Sequence, residues 1–183
     1  MIALNLNPRC RVINNLIKNS VRFILLVLLQ VVIVQNIRLG SYIILLPYIL
    51  FILLLPFETP KLLVLFSSFL IGLTIDMFYD TAGLHAAACT MIGFVRFYIL
   101  KLLAPREGYD PGQLPTVDSM GQVWFLTYGG LMIFIHHLIF FYLEMFRFDE
   151  FFRTMLRVLL STIGTFVFIY VVQFLFYKKT RNE

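Results

Sequence analysis

The stretch from Leu62 to Ala104 constrains the fold more than any other. It is apolar through Leu73. A polar corner follows, Asp76-Met-Phe-Tyr-Asp80-Thr-Ala-Gly83-Leu-His85, then three alanines and another apolar run. Two runs of about 20 apolar residues joined by so short a corner predict a hairpin of membrane-spanning helices. Carboxylates and a histidine at the rim of such helices are expensive, so other helices are expected to satisfy them.

The rest of the chain repeats the pattern. Apolar segments at about 21–36, 42–57, 62–79, 84–103, 123–145 and 156–177 predict six transmembrane helices in one compact bundle, a single all-α membrane domain over 1–183. Composition agrees: 60% of the residues are hydrophobic and only 14% charged, against about 25% charged in soluble domains. The net charge of +5 does not point to nucleic acid, because the basic residues sit at the ends of the apolar segments, where they set orientation and meet lipid headgroups. Cys10 and Cys89 lie in unlike settings and imply no disulfide.

Local features refine the spans. Val12, Ile13, Leu16 and Ile17 recur at helical spacing opposite Arg11, Asn14, Asn15 and Lys18, which suits a short helix on the membrane surface. Gln30 in the first span is expected to face another helix. Pro47 predicts a kink in the second span and Pro56 its end. Ser68 and Gly72, four apart, invite close approach of a neighbour. Arg96 is expected to snorkel to the surface beside Lys101. Residues 104–122, rich in proline and glycine, read as a loop. Residues 146–157 alternate charge with aromatics and read as an interfacial segment, with Asp149 and Arg153 one helical turn apart.

Six passes place both termini on one side with Arg9, Arg11, Lys18, Arg22, Lys61, Lys101, Arg106, Lys178, Lys179 and Arg181. Arg38, Arg147, Arg153 and Arg157 fall on the other. This bias predicts cytoplasmic termini. Asp76, Asp80 and His85 then gather near the outer surface with His136, His137 and Glu144 from the fifth span. Carboxylates and imidazoles are metal-ligand types, yet no His-Glu-x-x-His pattern and no nucleophile elbow is present, and adjacent histidines diverge by about 100° on a helix. The expected reading is a polar network that fixes helix packing and a partner surface, with no catalytic residue, metal or cofactor. An outward small-molecule or lipid-precursor pocket, as in a binding or transport subunit, is the alternative.

The run Pro56-Phe-Glu-Thr-Pro60, followed by Gly72-Leu-Thr-Ile-Asp76-Met-Phe-Tyr-Asp80-Thr-Ala-Gly83-Leu-His85-Ala-Ala-Ala88, resembles the MreD family of rod shape-determining proteins. Asp76 and Gly83 match that family's marker. Leu102-Leu-Ala-Pro-Arg-Glu-Gly-Tyr109, Trp124 to Tyr128, His136-His137 and Phe146-Arg-Phe148 extend the resemblance over the chain. It implies a non-enzymatic bacterial inner-membrane subunit of the cell-elongation machinery. Such a subunit binds MreC, and through it MreB, the RodA glycosyltransferase and its transpeptidase, to direct lateral peptidoglycan synthesis. It also implies a fold similar to the membrane substrate-binding subunits of energy-coupling-factor transporters.

Overall fold

A computed structural model describes residues 8–36, 42–110, 112–145 and 151–176. Within them the protein is helical, without strands. Helix α1 covers Pro8–Leu28 and continues through a π turn, Leu29–Ile33, and a 3-10 turn, Val34–Asn36. The others are α2 (Leu50–Leu53), α3 (Lys61–Tyr79), α4 (Leu84–Leu102), α5 (Val117–Met120), α6 (Gln122–Met145) and α7 (Phe151–Phe176). Five stretches are long and apolar enough to cross a bilayer: Leu16–Asn36, Lys61–Tyr79, Leu84–Leu102, Gln122–Met145 and Phe151–Phe174. Large apolar side chains on their outward faces, among them Leu62, Met77, Phe152 and Phe174, are left exposed, as hydrocarbon rather than water would favour.

The second expected span is not a long helix. Residues 42–46 carry no helical structure, Pro47–Ile49 is a 3-10 turn, and α2 is four residues long. Pro47 begins this helical piece instead of kinking it. The residue before a proline is pushed out of the α region, whereas proline itself suits a first helical turn. Pro56 then bars extension. What is left is a central segment, buried from Leu45 to Leu55, around which the five long helices stand. It runs antiparallel to α1: Gln30 Nε2 donates to the Leu45 carbonyl (3.3 Å) and Arg22 Nη1 to that of Leu54 (3.0 Å).

Buried non-helical backbone has to find partners outside itself. Here side chains supply them at both ends. Ile44 N donates to Ser161 Oγ (3.0 Å) and Leu46 N to Thr165 Oγ1 (3.1 Å), both on α7. Gly164 lies between these two, and a Cβ there would come within 3.0 Å of Leu45 Cδ2. At the other end three successive carbonyls are taken. Leu53 accepts from Tyr128 Oη at 3.2 Å, Leu54 from Arg22, and Leu55 from Arg96 Nη2.

Other boundaries also differ from the sequence expectation. The helix over residues 12–18 is not a separate surface element but part of α1. The loop after α4 contains the short α5, capped by Thr116 Oγ1, which accepts from Ser119 N (3.2 Å). Residues 151–157 of the expected interfacial segment are the first turns of α7; 146–150, with Asp149, lie outside the described residues. So do Arg38 and the basic tail.

The hairpin α3–α4 is the tightest joint. Asp80 ends α3 in the left-handed region (φ 52°), and Gly83 opens α4 with φ 87°. Gly72 faces α4 so closely that a Cβ on it would lie 2.5 Å from Ala86 Cα and 2.5 Å from the His85 carbonyl. Gly93 faces Ser68 in the same way, with a Cβ meeting its hydroxyl at 2.6 Å.

Candidate functional site

The polar residues expected at one depth separate into distinct arrangements. Asp76, buried at 3% exposure, is the cap of the helix that follows its own. Its Oδ1 accepts from His85 N (3.0 Å) and Thr81 Oγ1 (2.5 Å), and its Oδ2 from Ala86 N (2.8 Å). The first amides of α4 would otherwise be orphaned, and Gly83 has no side chain to serve them. Two left-handed residues fold the corner back so that a carboxylate one helix upstream reaches them. Asp80 itself is exposed.

Deeper lies a triad that sequence reasoning only half found. Tyr48, wholly buried in the 3-10 turn, places its hydroxyl 2.8 Å from His85 Nδ1 on α4 and 3.2 Å from His136 Nε2 on α6. Its ring meets both imidazoles edge-on, at 5.6 and 5.7 Å between centroids. Cys89 Sγ is 3.8 Å from the same His136 nitrogen. A hydroxyl donates one hydrogen bond and accepts others. One imidazole therefore accepts from Tyr48 while the other donates to it. His136 Nδ1 is buried with no hydrogen-bond partner; an unpaired acceptor there costs less than an unpaired N–H. That favours His136 donating through Nε2 and His85 accepting through Nδ1.

His137 points elsewhere, as its place one residue on requires. Its Nδ1 is 2.8 Å from the Ile133 carbonyl, so it carries the proton, and its Nε2 accepts from Thr165 Oγ1 (3.3 Å). Thr165 thus receives Leu46 N and donates to His137, tying the central segment to α6 through α7. Glu144 sits at the rim, where it pairs with Arg157 Nη1 at 3.6 Å. Neither His136 nor His137 donates to Asp76, and the six expected residues do not form one cluster. Among the described residues, no group of three His, Cys, Asp or Glu side chains could hold a metal ion.

Arg96 and Tyr128 hold the opposite end of the bundle. Arg96 does not snorkel. It has no exposed surface, and its Nε donates to Tyr128 Oη (3.0 Å) while Nη2 reaches the Leu55 carbonyl. Tyr128 stacks on Trp124 at 4.8 Å, and Trp124 meets Phe57 and Tyr109 edge-on. Phe57 and Tyr109 stack at 4.0 Å. The Tyr109 phenol, pushed above its ordinary pKa by burial, stays protonated and donates to the Leu100 carbonyl (2.8 Å).

No protein-family model, curated protein or solved structure matches this chain. The site therefore has to be read from its own geometry. Most of its polar atoms are engaged with backbone amides and carbonyls, or with one another, and they face the centre of the bundle instead of an open surface. For Arg96 the warning in the sequence was its type: an arginine within a membrane helix calls for a named partner. For Tyr48 nothing short of the three-dimensional path of the central segment could have marked it.

Proposed function

We propose that this protein is a non-enzymatic scaffold of the bacterial cell-elongation machinery, seated in the inner membrane and binding MreC there. One observation carries the reading. The run whose sequence resembles the MreD family, Gly72 to Ala88, is a mechanical joint in the folded chain: Asp76 caps α4, and Gly72 lets α3 press on Ala86. A motif whose residues fix one helix hairpin is suited to presenting a rigid surface to a partner.

The reading takes the chain across the membrane six times, with both termini cytoplasmic. Five extended residues cover about 16 Å and the nine residues 47–55 about 14 Å if helical. The central segment is therefore long enough for the roughly 30 Å of hydrocarbon. Leu45 and Leu54 lie beside Gln30 and Arg22, eight residues apart along the first helix and met in reverse order, which supports a sixth pass and, with it, a six-segment plan like that of energy-coupling-factor substrate-binding subunits. Through MreC the protein would act on MreB, RodA and the associated transpeptidase, and so on lateral peptidoglycan synthesis and cell shape.

The direct test is co-purification. With both proteins expressed and membranes extracted in mild detergent, MreC is expected to come with this chain, and a rod-shaped host depleted of it is expected to round up. Absence of association and an unchanged shape would together remove the proposal. A second reading, an outward-facing binding subunit for a small molecule or lipid precursor, is favoured by one detail, the unpaired buried Nδ1 of His136. It expects a ligand to be carried through purification and found by mass spectrometry.

A further inference from the structure

Arg96 has the largest side chain among the fully buried described residues. An arginine keeps its charge in proteins, and a charge in a dry interior calls for an opposite one. Arg96 has none: both of its partners, Tyr128 and the Leu55 carbonyl, are neutral. Among the described residues no carboxylate pairs with it. Its Nη1 is buried without any hydrogen bond. The guanidinium is thus hydrogen-bonded through Nε and Nη2 and unpartnered at Nη1.

The surroundings say from which side a counter-charge would come. Arg96 stands six residues before the end of α4, about 9 Å along the axis. Toward that end runs a chain of rings: Tyr128, then Trp124, then the stacked pair Phe57 and Tyr109. The loop residue Tyr109 is pinned there by a hydrogen bond to the Leu100 carbonyl, and Trp124 Nε1 donates to the Leu103 carbonyl (3.0 Å). The rim beyond carries exposed Lys61, Lys101 and Arg106 interspersed with exposed Glu58, Glu107, Asp110 and Asp118, so the pull on an anion is that of the buried, unpaired guanidinium itself.

From this geometry we infer that Arg96 is the floor of an anion site that takes a phosphate group, entering from the C-terminal end of α4 beneath a cover formed by Phe57, Tyr109 and Trp124. A guanidinium offers phosphate donors in a fixed fork; with the Nε hydrogen and one Nη2 hydrogen engaged, both Nη1 hydrogens and the second on Nη2 remain for it. The phosphate comes from a phospholipid headgroup or from free inorganic phosphate. The inference stands apart from the elongation-complex reading and survives or fails without it.

The cover contains its own reporter, because Trp124 is the only tryptophan in the chain. Its fluorescence can be followed in detergent during titration with inorganic phosphate, with chloride at matched ionic strength as control. It can be followed again in nanodiscs of phosphatidylcholine with and without phosphatidylglycerol. A saturable change with phosphate, absent with chloride, identifies the free ion; a change confined to phosphatidylglycerol discs identifies the lipid. Arg96→Gln is expected to abolish the response, and Arg96→Lys, which keeps charge but loses the fork, to weaken it at least tenfold. Should Arg96→Gln fail to fold, the comparison of Arg96→Lys with wild type decides. An unaltered response in either folded variant overturns the inference. So does a wild-type protein that answers neither probe, answers chloride equally, or responds only to a partner protein's carboxylate.

Discussion

At the scale of single residues, Asp76 shows how an expensive group becomes useful. An unpaired carboxylate near hydrocarbon is costly, yet here it accepts three hydrogen bonds, two of them from the leading amides of α4. Its partners are neutral amides and a hydroxyl rather than a buried cation. Removal therefore costs a helix cap, about 2 kcal/mol at the upper end of the usual range, not the larger penalty of stranding a charge. Asp76→Ala is expected to lower stability by that amount in denaturant titration of the detergent-solubilised protein. Asp76→Asn, which keeps one acceptor, should fall between. That Asp76 needs satisfying was legible from its place in an apolar hairpin. What satisfies it was not, because the answer depends on Asp80 and Gly83 both adopting left-handed backbone. Thr165 offers a sharper contrast. It serves Leu46 N and His137, while Thr162 on the same helix has a buried hydroxyl with no partner. Thr165→Val should cost about 1–3 kcal/mol by orphaning both groups; Thr162→Val should be neutral or slightly stabilising. Equal effects in the same titration would mean that the central segment is not held as described.

At the scale of elements, the long helices were readable and the central segment was not. Apolar runs of about 20 residues announce themselves, and α3, α4 and α6 lie close to where the pattern put them. The segment between Tyr42 and Phe57 is just as apolar, so hydropathy could not tell a continuous helix from a buried segment that is irregular at both ends. The two prolines carried the decisive information, but whether Pro47 kinks a helix or starts one depends on Ser161 and Thr165 of α7 being there to receive the freed amides. Small residues were the better guide to packing. Gly72 and Gly93 both face the partner helix in the α3–α4 joint, yet they should differ. A Cβ at Gly72 collides with backbone atoms of His85 and Ala86, whereas one at Gly93 collides with the side chain of Ser68. Gly72→Ala must separate two helices and should cost about 3 kcal/mol, the upper range for overpacking. Gly93→Ala can be relieved in part by rotation of Ser68 and should cost less. Thermal unfolding of the two variants side by side checks the order.

At the scale of the whole molecule, the question is whether a segment helical only from Pro47 to Leu53 carries the chain from one face of the membrane to the other. The contacts that bear on it are few but directional. Gln30 and Tyr79, at the far ends of α1 and α3, share a hydrogen bond of 2.8 Å, while Arg22 holds Leu54 seven residues before Lys61 opens α3. Helices α1 and α3 therefore run the same way, and on the proposed six-pass reading the central segment returns the chain between them. Irregular backbone at membrane depth survives only inside protein, and burial from Leu45 to Leu55 meets that condition. The sidedness that follows can be measured with single cysteines at exposed positions in a background lacking Cys10 and Cys89. With both termini inside, an impermeant maleimide added to intact cells should label Ala82→Cys at the α3–α4 corner. Glu58→Cys and Glu107→Cys should label only after permeabilisation. If Glu58→Cys instead labels in intact cells together with Asn36→Cys, an exposed position just before the central segment, that segment does not cross. The orientation shared by α1 and α3, and the clasp of Arg22, Arg96 and Tyr128 on its carbonyls, would then have to belong to some other arrangement of the chain.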